Sequence, residues 1–147
     1  MAIAERTAET VWEGALGSGR GTIRAASGAW DGLAVTWASR TERPDGKTSP
    51  EELAAAAHSA CFAMALALRL GEHNTAPQRL SIAATVTLDE VDGLPTIVSS
   101  VLRVRGRVPG LDGAGFQAVV DEAAKLCPVS RLFAGAEITV HAELESA

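Results

Sequence analysis

The sequence has no excess of positive charge. Its 13 lysine and arginine residues are outnumbered by 18 aspartate and glutamate residues, so the formal net charge of the 147-residue chain is −5 at pH 7. Proteins that bind nucleic acids or anionic membrane surfaces usually carry a basic surface. We therefore expect neither nucleic acid nor a membrane as a partner. Arg103, Arg105 and Arg107 alternate along one predicted strand and are interpreted as a solvated face that pairs with Glu143 or Glu145.

The first residues lack the apolar run of an export signal. We therefore expect a cytoplasmic protein, in a reducing compartment where a disulfide is more often transient or catalytic than structural. The chain also lacks a linker or an internal repeat, and its length suffices for one hydrophobic core. The prediction is a single domain over residues 1–147.

Cysteine is scarce, with only Cys61 and Cys127 in the chain. There is no Cys-x-x-Cys pair, and His58, three residues before Cys61, forms only a weak metal-binding pattern. We predict no metal and no cofactor, and we interpret His58 as a hydrogen-bonded structural residue. The count leaves open whether the two thiols form a redox pair or are buried hydrophobes, because free cysteine is among the most buried residue types.

One long apolar segment runs from Leu53 to Leu70. Capping residues mark the start and end of a predicted helix: Ser49, Pro50, Glu52 and Gly71. A membrane span is rejected, because alanine dominates the run, two glutamates begin it and no basic or aromatic belt flanks it. Since the helix has no solvated stripe and one sheet covers only one side, a second copy should cover the other. We predict an obligate homodimer with two antiparallel helices at its centre.

The other periodic segments predict roughly six strands and a second helix, in α+β order. The predicted strands include 10–16, 20–26, 33–40, 80–88 and 138–144, with a hairpin turn at Asp92-Gly93. The second helix follows Asp112. It should end at Cys127, because Pro128 disfavours helical geometry for the residue before it.

Several segments resemble the osmotically inducible protein C family, which is grouped with the organic hydroperoxide resistance proteins. They are Trp12-Glu13-Gly14, Gly19-Arg20-Gly21-Thr22, Thr48-Ser49-Pro50-Glu51-Glu52-Leu53, Ala57-His58-Ser59-Ala60-Cys61-Phe62 and Cys127-Pro128-Val129-Ser130. The resemblance covers essentially the whole chain and is closest to the osmotically inducible branch. It implies an α+β fold in which antiparallel sheets wrap around long central helices in an intertwined homodimer, with active sites at the subunit interface.

The resemblance also implies a thiol-dependent peroxidase that reduces organic hydroperoxides and defends against oxidative stress. By position, Cys61 matches the peroxidatic cysteine, Cys127 the resolving cysteine and Glu51 the acidic residue of a Pro-Glu motif. An external dithiol should recycle the enzyme, and a lipoyl-type dithiol is one candidate. Apolar side chains near the thiol would favour an organic peroxide; they are Phe62, Met64 and Phe133.

The arginine that activates the thiol has two candidates. Ser39-Arg40-Thr41-Glu42 matches the osmotically inducible branch except that Thr41 replaces an aromatic residue, whereas the other branch takes its arginine from the first hairpin, near Arg20. We predict Arg40, with Arg20 as the alternative. Lys47, where glycine is usual, is a further departure in the same loop.

Helix geometry restricts the role of Glu51. Ten residues along a helix span about 15 Å, so Glu51 cannot reach Cys61 of its own chain. We hypothesise that it approaches Cys61 of the other subunit and orients Arg40 through a charge-assisted pair. Two other interpretations stay open: a dimeric small-ligand-binding protein with non-catalytic buried cysteines, and a protein with purely structural thiols.

Overall fold

The computed structural model describes residues 1–135 and 137–146, in which six strands and four helices are found. In chain order they are β1 (Ala8–Glu13), β2 (Arg20–Ala25), β3 (Asp31–Val35), α1 (Trp37–Thr41), α2 (Pro50–Glu72), β4 (Arg79–Val91), β5 (Leu94–Arg107), α3 (Gly113–Leu126), α4 (Pro128–Leu132) and β6 (Glu137–Leu144). The predicted α+β class is confirmed. Two compact units are present, Met1–Leu53 and Ala54–Ala147, and the boundary falls inside α2. The single domain over residues 1–147 stays a prediction.

The first unit contains an antiparallel meander, in the strand order β1-β2-β3. The prediction of a third strand through residue 40 is wrong beyond Val35, where the chain turns into α1. The cause is a capping box that sequence periodicity did not show. The Ser39 N–H donates to Thr36 Oγ1 at 3.0 Å, and the Thr36 N–H donates to Ser39 Oγ at 2.9 Å. These two bonds satisfy backbone donors at the start of a helix and so favour it over a longer strand.

Helix α2 begins as predicted. Ser49 Oγ accepts a hydrogen bond from the Glu52 N–H at 3.1 Å, and the Glu52 carboxylate accepts one from the Thr48 hydroxyl at 2.8 Å. The predicted stop at Gly71 is wrong, because the helix continues to Glu72 and the left-handed residue that follows it is Asn74, with φ of 58°. Length and composition alone would allow this helix to cross a bilayer, and a core helix shares both properties.

The second unit contains a three-stranded sheet in the order β4-β5-β6. Strands β4 and β5 form the predicted antiparallel hairpin, and the turn residues Asp92 and Gly93 both have positive φ, 52° and 77°. Strand β6 is parallel to β5, with Leu102 opposite Val140, so the expectation of wholly antiparallel sheets is wrong for this pair. Helices α3 and α4 lie between β5 and β6 in the chain, and parallel neighbours need such a crossover connection.

The core of the second unit is formed by α2, β5 and α3. Its buried members include Phe62, Leu66, Leu70, Leu102, Val104, Phe116, Val120, Ala123 and Cys127, and partly buried hydrophobic residues pack against them. Gly106 allows α3 to lie close to the sheet, because a Cβ at this position would come within 2.7 Å of the Phe116 ring. As predicted, α3 follows Asp112 and ends at Cys127, and the structure shows that the Asp112 carboxylate caps the helix by accepting from the Gly115 N–H. This ending places the Cys127 thiol within the core.

Candidate active site

The second unit brings together two cysteines that are 66 positions apart in the sequence. Cys127 is both the C-cap of α3 and the N-cap of α4, and it is fully buried. Cys61, near the middle of α2, is partly buried and packs against the cluster that contains Cys127. Pro128 at the first position of α4 fixes the corner at which Cys127 lies. Both residues are free thiols.

The surroundings of Cys61 keep its thiol protonated. Burial raises the pKa of this thiol, and the neighbouring Cys127 thiol raises it further. A hydrogen bond from the Val129 backbone N–H opposes these effects and lowers the pKa, but the net direction is upward. None of these groups is a cation. A thiolate at Cys61 therefore needs positive charge from another source.

One helical turn before Cys61, the fully buried His58 ring is hydrogen-bonded on both sides. Its Nδ1 lies 2.6 Å from Ser100 Oγ, and its Nε2 lies 2.8 Å from Ser130 Oγ. The ring also meets Phe133 edge-on, with ring centroids 5.3 Å apart. Burial lowers the pKa of His58, so the ring is neutral at pH 7. The interpretation of His58 as a hydrogen-bonded residue is confirmed.

Within residues 1–135 and 137–146, no group of three or more histidine, cysteine, aspartate or glutamate residues is arranged to hold a metal ion. His58 has a serine at each ring nitrogen and therefore has no free nitrogen for a ligand bond.

Arg40 and Glu51 form a bidentate ion pair in the first unit. Arg40 Nη2 lies 2.7 Å from Glu51 Oε1, and Arg40 Nε lies 3.0 and 3.2 Å from the two carboxylate oxygens. Helix α1 supplies the arginine, and the first turn of α2 supplies the glutamate. The alternative arginine, Arg20, lies exposed at the start of β2. The predicted charge-assisted pair is thus present, while its action on Cys61 stays a prediction.

The first unit also contains an apolar cavity of about 600 Å³. Its wall includes Trp12, Ile23, Val35, Trp37 and Leu53, together with the charged residue Arg40. The side chains that we expected around the thiol differ in environment. Phe62 is fully buried in the core of the second unit, whereas Met64 is 72% exposed. Of the three, Phe133 contacts the His58 ring.

Comparison with known proteins agrees with the resemblance seen in the sequence. Residues 43–143 match the model of the family described as OsmC-like protein. The chain is 40% identical to peroxiredoxin OsmC of Escherichia coli (strain K12) over 135 residues, which are 92% of this chain and 93% of that protein. It is 36% identical to an organic hydroperoxide resistance protein of Xanthomonas axonopodis pv. citri, over 60% of this chain and 61% of that protein. Among solved structures, the organic hydroperoxide resistance protein OhrB of Bacillus subtilis superposes with a TM-score of 0.71 at 30% identity, covering 95% of this chain and 98% of that one.

Proposed function

The chain belongs to the OsmC-like protein family, and on that premise we propose that it is a thiol-dependent peroxidase that reduces organic hydroperoxides. The relatives named peroxiredoxin and organic hydroperoxide resistance protein support a peroxidase role in defence against oxidative stress. The observation that carries the proposal is the packing of the free thiol Cys61 against the core cluster that contains the second free thiol, Cys127. A cysteine pair of this kind can store the two electrons that a peroxide reduction requires.

The first proposed step is attack of the Cys61 thiolate on the O–O bond of the hydroperoxide. An S–O bond forms and the O–O bond breaks, which leaves a sulfenic acid on Cys61 and an alkoxide that takes up a proton to become an alcohol. Because the local groups raise the pKa of Cys61, a cation must stabilise the thiolate. We assign this role to Arg40, held in orientation by Glu51.

In the second step the Cys127 thiol condenses with the sulfenic acid. A disulfide forms between Cys127 and Cys61, and the hydroxyl group and the thiol proton leave as water. An external dithiol then reduces this disulfide by two exchange reactions and is itself oxidised to a disulfide. We propose a lipoyl-type dithiol as the reductant and a cytoplasmic location, where such dithiols are kept reduced.

The apolar cavity of the first unit supports an organic substrate. Its wall offers aromatic and aliphatic surface to an alkyl group and carries Arg40, the residue proposed to face the reacting oxygen atoms. Hydrogen peroxide has no alkyl group to bury in such a cavity. We therefore propose that alkyl hydroperoxides are reduced at a higher kcat/KM than hydrogen peroxide.

The exposed face of α2 supports the proposed homodimer. Met64 and Leu68, four residues apart on one helix face, are 72% and 53% exposed in the single chain. Alanines next to them would allow a second α2 to approach closely. In that dimer Glu51 of one subunit would serve Cys61 of the other, since the distance along one helix is too long. Sedimentation of a stable monomer at micromolar concentration would refute this arrangement.

A thiol titration tests the peroxidase function. One equivalent of an alkyl hydroperoxide should convert the two free thiols of each chain into one intramolecular disulfide, detected by mass spectrometry after alkylation. Cys61→Ser should consume no hydroperoxide, whereas Cys127→Ser should stop at the sulfenic acid, which a 1,3-diketone traps. If Cys61→Ser consumed hydroperoxide with added dithiol as fast as the wild-type protein, the proposal would be wrong.

The cavity also favours a second candidate, a dimeric protein that binds a small apolar ligand and does not use its cysteines. The same variants separate the two functions. A ligand binder should retain a bound apolar probe equally well in the wild-type protein, Cys61→Ser and Cys127→Ser, and neither variant should affect its function.

A further inference from the structure

The His58 ring joins three elements of the second unit. The residue lies on α2 one turn before Cys61, its Nδ1 meets Ser100 on β5, and its Nε2 meets Ser130 on α4. Both serines are buried, with exposures of 1% and 7%. Since buried polar groups are costly to leave unpaired, the ring and the two hydroxyls fix one another.

The bond to Ser130 has a consequence for the cysteines, because Ser130 lies in the first turn of α4. Cys127 caps this helix, and both Cys61 and Val129 pack against the core cluster that contains Cys127. The bond between Ser130 and His58 therefore holds α4 to α2 close to the place where Cys61 and Cys127 pack. Movement of α4 away from His58 would also withdraw the Cys127 thiol from Cys61.

We propose that His58 is a positioning residue for the second step of the proposed reaction: through Ser130 it holds α4 so that the Cys127 thiol stays beside Cys61. This inference rests on the proposed peroxidase function for its biological meaning, but the positioning itself is a property of the two thiols. His58 does not act as the base that deprotonates Cys61, because both of its ring nitrogens are occupied by serine hydroxyls.

Positioning acts on the rate at which the cysteines join. A thiol that is held next to its target reacts faster than one that visits it for a fraction of the time. Loss of one typical buried hydrogen bond lowers the fraction of molecules in which the thiol is held next to its target by about fivefold. We therefore expect variants that break the contact between residues 58 and 130 to form the Cys61–Cys127 disulfide about fivefold more slowly.

The experiment uses a small thiol reagent in place of hydroperoxide. One equivalent of methyl methanethiosulfonate should modify Cys61 first, because Cys127 is fully buried. The Cys61 thiolate displaces methanesulfinate and becomes a methyl disulfide. The Cys127 thiolate then attacks the Cys61 sulfur and releases methanethiol, which leaves the intramolecular disulfide. Acid quenching and mass spectrometry follow the loss of the methyl adduct with time.

Matched variants isolate the contact with Ser130. Ser130→Ala removes it directly. In His58→Gln the side-chain amide reaches the position of Nε2 and can keep the bond to Ser130, whereas in His58→Asn it reaches only the position of Nδ1, next to Ser100. Ser59→Ala is the control, because the Ser59 hydroxyl donates to the Ala56 carbonyl of the same helix and not to the His58 ring.

We expect Ser130→Ala and His58→Asn to close about fivefold more slowly than the wild-type protein, and His58→Gln and Ser59→Ala to close at nearly the wild-type rate. Circular dichroism should show that each variant is folded. If His58→Asn does not fold, the comparison of Ser130→Ala with the wild-type protein is sufficient to test the inference. The inference is overturned if Ser130→Ala closes as fast as the wild-type protein or if His58→Gln is as slow as His58→Asn. Failure of hydroperoxide to oxidise a wild-type chain that closes normally would refute the peroxidase function alone.

Discussion

Replacement of Glu51 by glutamine tests how the fold holds Arg40 in place. Glutamine keeps the length and shape of the side chain but offers one acceptor oxygen instead of two. The three hydrogen bonds of the Arg40–Glu51 pair, at 2.7, 3.0 and 3.2 Å, cannot all form with it. The substitution also removes the negative charge that balances the positive charge of the Arg40 guanidinium. We expect lower stability and a slower reaction of Cys61 with hydroperoxide.

The magnitude follows from the burial of the pair. Exposed ion pairs contribute about 0–1 kcal/mol to stability, whereas a hydrogen bond to a charged group contributes about 1.5–3 kcal/mol. The side chains of Arg40 and Glu51 are 29% and 11% exposed, so the pair lies between these limits. We expect Glu51→Gln to lower the free energy of unfolding by about 1–2 kcal/mol.

The first unit provides a matched control. Arg24 and Asp31 pair at 2.6 Å between β2 and β3, but their side chains are 53% and 75% exposed. Asp31→Asn should therefore lower the free energy of unfolding by at most about 0.5 kcal/mol, and high salt should remove the difference. Urea denaturation at equal protein concentrations measures both variants. Equal losses for the two variants, within about 0.3 kcal/mol, would refute the argument from burial.

Three further predictions concern the thiol pair, the sheet and α1. Cys127→Ser removes a neighbour that raises the pKa of Cys61, so alkylation of Cys61 should reach half of its maximal rate at a lower pH; an unchanged or higher midpoint would contradict this. Gly106→Ala should destabilise the protein by about 1–3 kcal/mol in the same denaturation assay, because the new methyl group meets the aromatic ring of Phe116 on α3. Gly71→Ala on α2 is the control and should be neutral or stabilising, because open space surrounds this position. Thr36→Ala should cost about 1 kcal/mol through loss of the α1 capping box, and an unchanged unfolding midpoint would show that the box contributes little.

Local sequence patterns predicted the elements whose signals are local. Alternation of apolar residues located β4, the Asp92-Gly93 pair located its turn, and Asp112 with Pro128 bounded α3. These signals depend on neighbours in the chain, and the structure follows them. The short helices α1 and α4 were missed, because five residues are too few for a helical period to be visible.

Local sequence patterns could not predict contacts between residues that are far apart in the chain. His58 is 42 positions from Ser100 and 72 positions from Ser130, and no periodicity in α2 points to either serine. The parallel pairing of β6 with β5 likewise depends on the path of the chain between them. The family resemblance supplied Cys61, Cys127, Arg40 and Glu51 as site residues. It did not supply the serines, although Ser130 stands inside the segment that carried the resemblance.

The residues through which α2 and α4 meet are spaced equally in the two segments. His58 precedes Cys61 by three residues, and Ser130 follows Cys127 by three. The two intervals run in opposite directions, so that cysteine meets cysteine and histidine meets serine. A one-residue insertion in either interval would rotate one partner by about 100° around its helix axis and break the second contact while the first remained. The pair His-x-x-Cys and Cys-x-x-Ser is thus a spacing rule, and a chain that alters one interval must alter the other to keep both contacts.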